Sequence, residues 1–442
     1  MAYIHRTNGT ATNELIWTLS MWVKQSDINW GAMLAGAAGA TNTPEFSITG
    51  ADVLQFWTAS ATAYLATTAK YQDPAAWRHI VIAVDTTQVS ASDRIKMYVN
   101  GEEPVLTTST YPSASYNSEL NKSGEVIEIG KTGPTDLDGV LSHVHFIDGI
   151  QYTASTFGET DATSGIWKIK TSPTVTYGNN GFFLKMEDRT NLDLDSSPNA
   201  HTMTTSGTLT ATYDNPSNNF ATCNPLNNYW QECTFANGNT AVTFEPVGGN
   251  YAASMGTLGM SAGKWYWEVK AGVAQYADMF IGIASTQVTS ASGSSIFGKS
   301  TTDWAYSGSD GKSKNSDTLT AYGDTYTVGD IIGVALDLDN NKLYFSKNGT
   351  FQNSGVPTSG ATGTGALSIT APASTPFGVY LPAASFYSSG ACTLQYNFGN
   401  GYFGTTAVTS ANADDAGIGD MEYDVPAGYY CLCTKNIKAY GG

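Results

Sequence analysis

Apolar residues recur at every second position along this chain, and stretches with a helical repeat are nearly absent. In the first half Ile80, Ile82 and Val84 alternate with their neighbours up to Asp85, and a loop spans residues 86–93. Ile95, Met97 and Val99 then point one way while Arg94, Lys96 and Tyr98 point the other. Asn100-Gly101 supplies the positive φ angles of a tight turn. The second half repeats the layout. Ile332, Val334, Leu336 and Leu338 share a face, Asp339-Asn340-Asn341 turns the chain, Leu343 and Phe345 return on the buried side, and Asn348-Gly349 turns it again. Two antiparallel hairpins of this kind predict sheets packed face to face. The expected fold is all-β, with two tandem antiparallel β-sandwiches and a short C-terminal tail.

A chain of 442 residues is long for one domain and comfortable for two or three. The expected division is a sandwich over residues 1–210, a linker over 211–228, a second sandwich over 229–400 and a tail over 401–442. The linker rests on Asp214-Asn215-Pro216-Ser217-Asn218-Asn219, turn formers with little to bury. The tail is small and acidic over 411–420. A strand-like run over 429–433 follows Pro426-Ala427-Gly428 and is expected to pair with a sandwich or with a neighbouring subunit.

Charge narrows the partners. Only 13% of residues are charged, yet the formal net charge is −17. No basic cluster exists to displace counterions from nucleic acid or an anionic membrane, so neither is expected as a partner. No apolar run reaches the roughly eighteen residues of a membrane span. Met1 is not followed by a basic segment and an apolar stretch, so no signal peptide is expected. The five cysteines are Cys223, Cys233, Cys392, Cys431 and Cys433, an odd count. Cys431-Leu432-Cys433 puts two sulfurs on one strand face, a geometry that rarely closes into a disulfide. All five read as small buried residues of a protein made in a reducing cytoplasm.

Several strings carry family resemblances. Trp17-Thr18-Leu19-Ser20-Met21-Trp22-Val23, Trp77-Arg78-His79-Ile80-Val81, Ile95 through Gly101, Ile127-Glu128-Ile129-Gly130 and Gly139 through Phe146 follow in order. Together they resemble the laminin-G/pentraxin group of concanavalin A-like sandwiches. Gly263-Lys264-Trp265-Tyr266-Trp267-Glu268-Val269, Ile281-Gly282-Ile283-Ala284, Gly329 through Asp337, Leu343 through Gly349 and Pro376-Phe377-Gly378-Val379-Tyr380 are similar to a SPRY domain, the last string standing as its late strand. The combination, with the tail from Pro426 to Asn436, resembles virion proteins of tailed phages. That resemblance implies a place on the virion, with other virion proteins as partners.

Concanavalin A-like folds include glycoside hydrolases, which need two carboxylates on one face. Glu125 and Glu128 fall on opposite faces of a strand, and Asp337 and Asp339 stand where the SPRY pattern forms a turn, so no catalytic residue is assigned. His143 and His145 share a strand face, the geometry of a two-histidine metal edge, without a further ligand at suitable spacing. Calcium, which many laminin-G-like domains hold, is the better metal candidate. Asp136 and Asp138, or Asp188, Asn191, Asp193 and Asp195, would supply it, against the plainer reading of solvated acidic loops. No other cofactor is expected.

SPRY domains bind through loops at one end of the sandwich. The candidate ligand-binding residues here are Asp303, Trp304, Tyr306, Asp310 and Lys312, an aromatic platform beside charges that would orient a sugar or side chain. The competing reading packs Trp304 and Tyr306 inside the sandwich. Two functions follow. One is a fibre or adhesin component that attaches to a host-surface glycan or protein. The other is a capsid decoration or head-fibre protein that mainly binds other virion proteins and stabilises the particle. Tandem lectin-like modules favour the first through multivalent contact. Coiled-coil heptads and shaft repeats are absent, so a fibre of this kind is short or anchored through its tail or another protein. A homo-oligomer is expected, a trimer if it is a fibre.

Overall fold

The computed structural model describes residues 2–26, 31–36, 44–58, 62–132, 135–227, 233–246, 251–274, 278–286, 297–387 and 390–441. Strands account for 43% of the chain and helix for 6%, and the α-helix among the described residues is the short Thr434–Tyr440. None of these residues forms a helix long and apolar enough to cross a membrane. The chain divides into two compact units, Met1–Ala211 with Asn215–Ser217, and Thr212–Asp214 with Asn218–Gly442.

The first unit stacks an eight-stranded sheet on a five-stranded one. In the smaller sheet Ile16–Gln25 lies between Gly139–Asp148 and Trp77–Asp85, which pairs in turn with Ile95–Val99. Alternation sends Trp17, Leu19, Met21, Ile80, Ile82, Val84 and Phe146 into the core, against Phe46, Phe56 and Ile127 of the larger sheet. The opposite face of the small sheet is buried as well. Val81 and Ile147 pack there against Ala154 and Phe157, and Trp167 lies on the same cluster. Two-residue periodicity fixes which side chains share a face, but it is blind to a later segment that covers the second face.

The second unit stacks a nine-stranded sheet on a six-stranded one. The long strand Lys264–Ala274 pairs with Ile331–Asp337 and Cys392–Asn397, and Ile331–Asp337 forms its hairpin with Lys342–Lys347. Trp265, Trp267, Val269, Ile332, Val334, Leu336, Leu343 and Phe345 fill the core, as their alternation requires. Asn348 and Gly349, at φ 48° and 79°, make the tight turn that ends the hairpin. The late strand lies at Leu381–Tyr387, and residues 376–380, expected to form it, are instead its approach, with Gly378 at φ 70° after a 3-10 turn at Pro372–Ser374.

The tail docks on the second sandwich. It belongs to the second unit and lies on the outer face of the nine-stranded sheet. Met421, Tyr429, Cys431 and Cys433 pack there against Tyr266, Ala335 and Tyr344, and Tyr430–Cys431 pairs in parallel with Trp265 and Tyr266. The linker is likewise no loose tether. Phe220 and Ala221 are buried, the Ala221 amide donates to Leu432 at 2.9 Å, and Asn219 accepts from Thr434 at 2.9 Å. Turn-forming residues at 214–219 therefore build a bend that delivers an apolar anchor, Phe220, into the tail cluster.

Candidate functional site

The five residues proposed as one ligand loop fall in three places. Tyr306 is fully buried, its ring 5.3 Å from Phe345 and 5.1 Å from Tyr326, and its hydroxyl donates to the carbonyl of Asp324. It is a core residue and offers nothing to a surface ligand. Trp304, two positions earlier on the same strand, packs against the same core beside Tyr380. Asp310 and Lys312 sit beyond the far end of Trp304–Ser307, paired at 3.0 Å, with Asp310 also accepting the Lys312 amide. An extended four-residue strand spans about 13 Å, so Asp303 at its start does not meet that pair.

Asp303 belongs to a polar rim at the other end. Its carboxylate accepts the Ser285 amide at 3.2 Å and the Thr286 hydroxyl at 2.8 Å. The Ser285 hydroxyl donates to Thr375 at 2.7 Å, and Thr375 donates to the carbonyl of Pro372 at 2.7 Å. The Asn315 amide group donates to the Asp303 carbonyl at 2.9 Å. Burial without a cation pushes Asp303 up to about 6, against the pull of the hydroxyl and amide donors. Phe377, 43% exposed, stands at this rim with its amide 3.4 Å from the Ser285 hydroxyl. A solvent-facing ring there can stack on an apolar ligand face, while the buried Ser285–Asp303–Thr375 network holds the turn that presents it. Its signal in the sequence is an aromatic residue between Pro376 and Gly378, a turn context that fits a presented ring better than a packed strand.

The acids weighed for catalysis or metal binding are structural. Asp337 accepts the Asn340 amide at 3.0 Å and its side chain at 2.8 Å and pairs with Lys264 at 3.3 Å, while Asp339 accepts the Gly263 amide. Glu128 lies within Val126–Ile129 and Glu125 precedes it. In the acidic loop Asp188 accepts from Thr190, Asp193 from Thr205, and buried Asp195 from Phe183, Ser197 and His201. Carboxylate oxygens already occupied by N–H and O–H donors do not fit a calcium cage. The Asp136 side chain lies outside the described residues, and Asp138 is exposed. Among the described residues no group of three or more His, Cys, Asp or Glu is placed to hold a metal.

The histidines are built into the first unit. A bulge between Ser142 and His145 breaks the plain alternation assumed for His143 and His145, with His143 at φ 49°. His143 Nδ1 lies 2.7 Å from the Ser142 hydroxyl, and His145 Nδ1 lies 2.9 Å from that of Tyr177. His79 stacks between Trp22 and Trp167, and its Nδ1 accepts the Trp167 indole N–H at 3.0 Å. The remaining proton must then sit on Nε2, 2.8 Å from the Ser20 hydroxyl. Burial lowers His79 to about 3 and His143 to about 4, and holds His145 well below its usual range.

One further acid, on the strand Lys264–Ala274, is buried under the tail. Glu268 accepts the amides of Glu422 at 2.8 Å and Tyr423 at 2.9 Å, the Tyr266 hydroxyl at 3.2 Å and the Asn397 side chain at 3.3 Å. Burial raises it to about 7 despite those donors.

Both units are thus two-layer sandwiches whose buried acids and histidines serve packing and turns. Sequence comparison gives the domain types. Residues 2–150 match the family model described as the concanavalin A-like lectin/glucanases superfamily, and residues 264–401 match the SPRY domain. The chain therefore carries a concanavalin A-like domain followed by a SPRY domain, types that typically bind rather than catalyse. Among solved structures, similarity extends to the SPRY domain of human HERC1, at 18% identity over 39% of this chain and 96% of that one, with a TM-score of 0.30. The TRIM65 PSpry domain matches at 16% identity over 40% of this chain and 91% of that one, with a TM-score of 0.28. The SAP-like pentraxin from Limulus polyphemus matches at 12% identity over 41% of this chain and 88% of that one, with a TM-score of 0.29. No curated protein matches the sequence.

Proposed function

We propose that this protein is a non-catalytic binding component of a tailed-phage particle, a fibre or adhesin element that attaches to a host-surface glycan or protein. The observation that carries the binding reading is the pairing of two sandwich domains of binding type, one with a solvent-facing ring, Phe377, beside the Ser285–Asp303–Thr375 network. The virion setting rests on the order of the two domains and the tail string in the sequence. Two modules per chain, multiplied in a homo-oligomer such as a trimer, would turn weak single contacts into firm attachment to a repetitive surface.

The docked tail favours a second reading. Residues that fold back onto their own sheet are not extended towards a neighbour, which suits a compact decoration protein of the capsid. Antibody labelling of particles in negative stain separates the two, since label at the tail supports attachment and label on capsid faces supports decoration. Label on neither would reject the virion setting. A glycan array with the full chain and a Phe377→Ala variant tests the rim, with at least a tenfold loss of binding expected, about 1.4 kcal/mol. Equal binding by both proteins would remove the rim from the function.

A further inference from the structure

Cys431 and Cys433 are both buried in the cluster between sheet and tail, while Leu432 between them enters the main core. On a regular strand two such residues lie about 6.6 Å apart at Cα, near the upper edge of the roughly 4.4–6.8 Å that a disulfide spans. The chain here is bent. The Cys433 amide donates to the Cys431 carbonyl at 3.1 Å, a three-residue turn at Leu432 that draws the two residues together. The Cys431 thiol donates to the Ile418 carbonyl at 3.7 Å.

Their surroundings make the pair unequal. The Asn436 side chain donates to Cys431 Sγ at 3.4 Å and to the Cys431 carbonyl at 2.9 Å. Asp414, which accepts the Cys431 amide and the Asn436 side chain, places negative charge beside the pair. The neighbouring Cys431 thiol, with the Asn436 amide and the Asn218 side chain, lowers Cys433 against its burial, while Cys431 is held well above the usual thiol range. One sulfur is thus disposed to be a thiolate and its neighbour a thiol, the division of labour of a redox pair.

We propose that Cys431 and Cys433 form a reversible disulfide that fastens the C-terminal tail in response to a hydroperoxide. The Cys433 thiolate attacks one peroxide oxygen, the O–O bond breaks, and the departing hydroxide takes up a proton as water. Cys433 is now a sulfenic acid. The Cys431 sulfur, giving up its proton, attacks the Cys433 sulfur, the S–S bond forms and the S–O bond breaks, releasing a second water. Two electrons pass from the dithiol to the peroxide. Hydrogen peroxide is small enough to enter through local opening of the tail. Closure fixes the bend on which the pairing of Tyr430–Cys431 with Trp265 and Tyr266 and the Phe220–Cys433 bridge depend. The other cysteines lie in the main core, where burial raises Cys223 well above its usual range and Cys233 and Cys392 to about 12, so they remain thiols.

The test exposes the folded full-length chain to hydrogen peroxide at neutral pH, then denatures, alkylates and digests it for mass spectrometry. The peptide containing 431–433 should become lighter by two hydrogens and lose alkylation at both sites, with Cys223, Cys233 and Cys392 still alkylated and dithiothreitol restoring the original mass. In Cys431→Ser, dimedone should capture a sulfenic acid at Cys433 that the unmodified chain resolves. Full alkylation at 431 and 433 after peroxide, sulfinic acid at Cys433 without a disulfide, or crosslinks to the core cysteines would each overturn the proposal.

Discussion

Acidification should move the stabilities of the two units in opposite directions. In the first unit His79, His143 and His145 are buried neutral. Their stability contribution is complete above the unfolded value of 6.5 and is lost as pH falls through it towards the folded values of about 3 for His79 and about 4 for His143. Geometry supports the sign at His79, where a proton on Nδ1 would face the Trp167 N–H. In the second unit the sign reverses. Glu268 rises from 4.5 to about 7 and Asp303 from 3.8 to about 6, so the folded state holds these protons more tightly than the unfolded chain. Their contribution is greatest below the unfolded values and is lost as pH rises through the folded ones.

Between about pH 7.5 and about pH 5 the arithmetic gives a loss of about 2 kcal/mol for each of His79 and His143, and a gain of about 2 kcal/mol from Glu268 and about 1 kcal/mol from Asp303. Falling net negative charge acts on both units alike, so divergence is the diagnostic. Calorimetry across this range, with hydrogen exchange assigning each transition to its unit, should show the first unit's transition falling while the second unit's rises. His79→Phe should flatten the first unit's dependence by about 2 kcal/mol. Parallel movement of both transitions, or an unchanged slope in that variant, would refute the reasoning.

Other substitutions probe packing. A Cβ at Gly158 would lie 2.5 Å from the Trp167 ring, so Gly158→Ala should cost about 1–3 kcal/mol in urea unfolding of the first unit. Glu268→Ala leaves the Glu422 and Tyr423 amides without their acceptor and should cost about 3 kcal/mol, with faster amide exchange at those two residues. Tyr306→Phe removes the hydroxyl bond to Asp324 and should cost about 1 kcal/mol while leaving ligand binding unchanged. Lys312→Ala breaks an exposed pair and should leave the melting temperature within error.

How far these features could be read from sequence depends on the range of the interaction that makes them. Ile332, Val334 and Leu336 reach the core where alternation put them, because the face a strand residue takes is set by its immediate neighbours. Asn348-Gly349 turned as expected for the same local reason. Glu268 obeys the same alternation and faces away from the main core, yet it is fully buried, because a segment more than 150 residues later covers that face and supplies its amide donors. Trp304 and Asp310 are close in sequence, but an extended backbone carries them to different ends of a strand, so proximity in the chain misplaced the ligand loop. The rim at Asp303 joins residues about ninety positions apart, Ser285 and Thr375, and alternation says nothing about such a meeting. Cys431 and Cys433 invert the case: their closeness was visible, but the bend that makes it chemically useful is held by Asn436 and Asp414, which bond Cys431 and each other within the tail. Local pattern therefore fixes the layers, while coverage of their outer faces, where the buried acid and the dithiol sit, is decided by long-range docking.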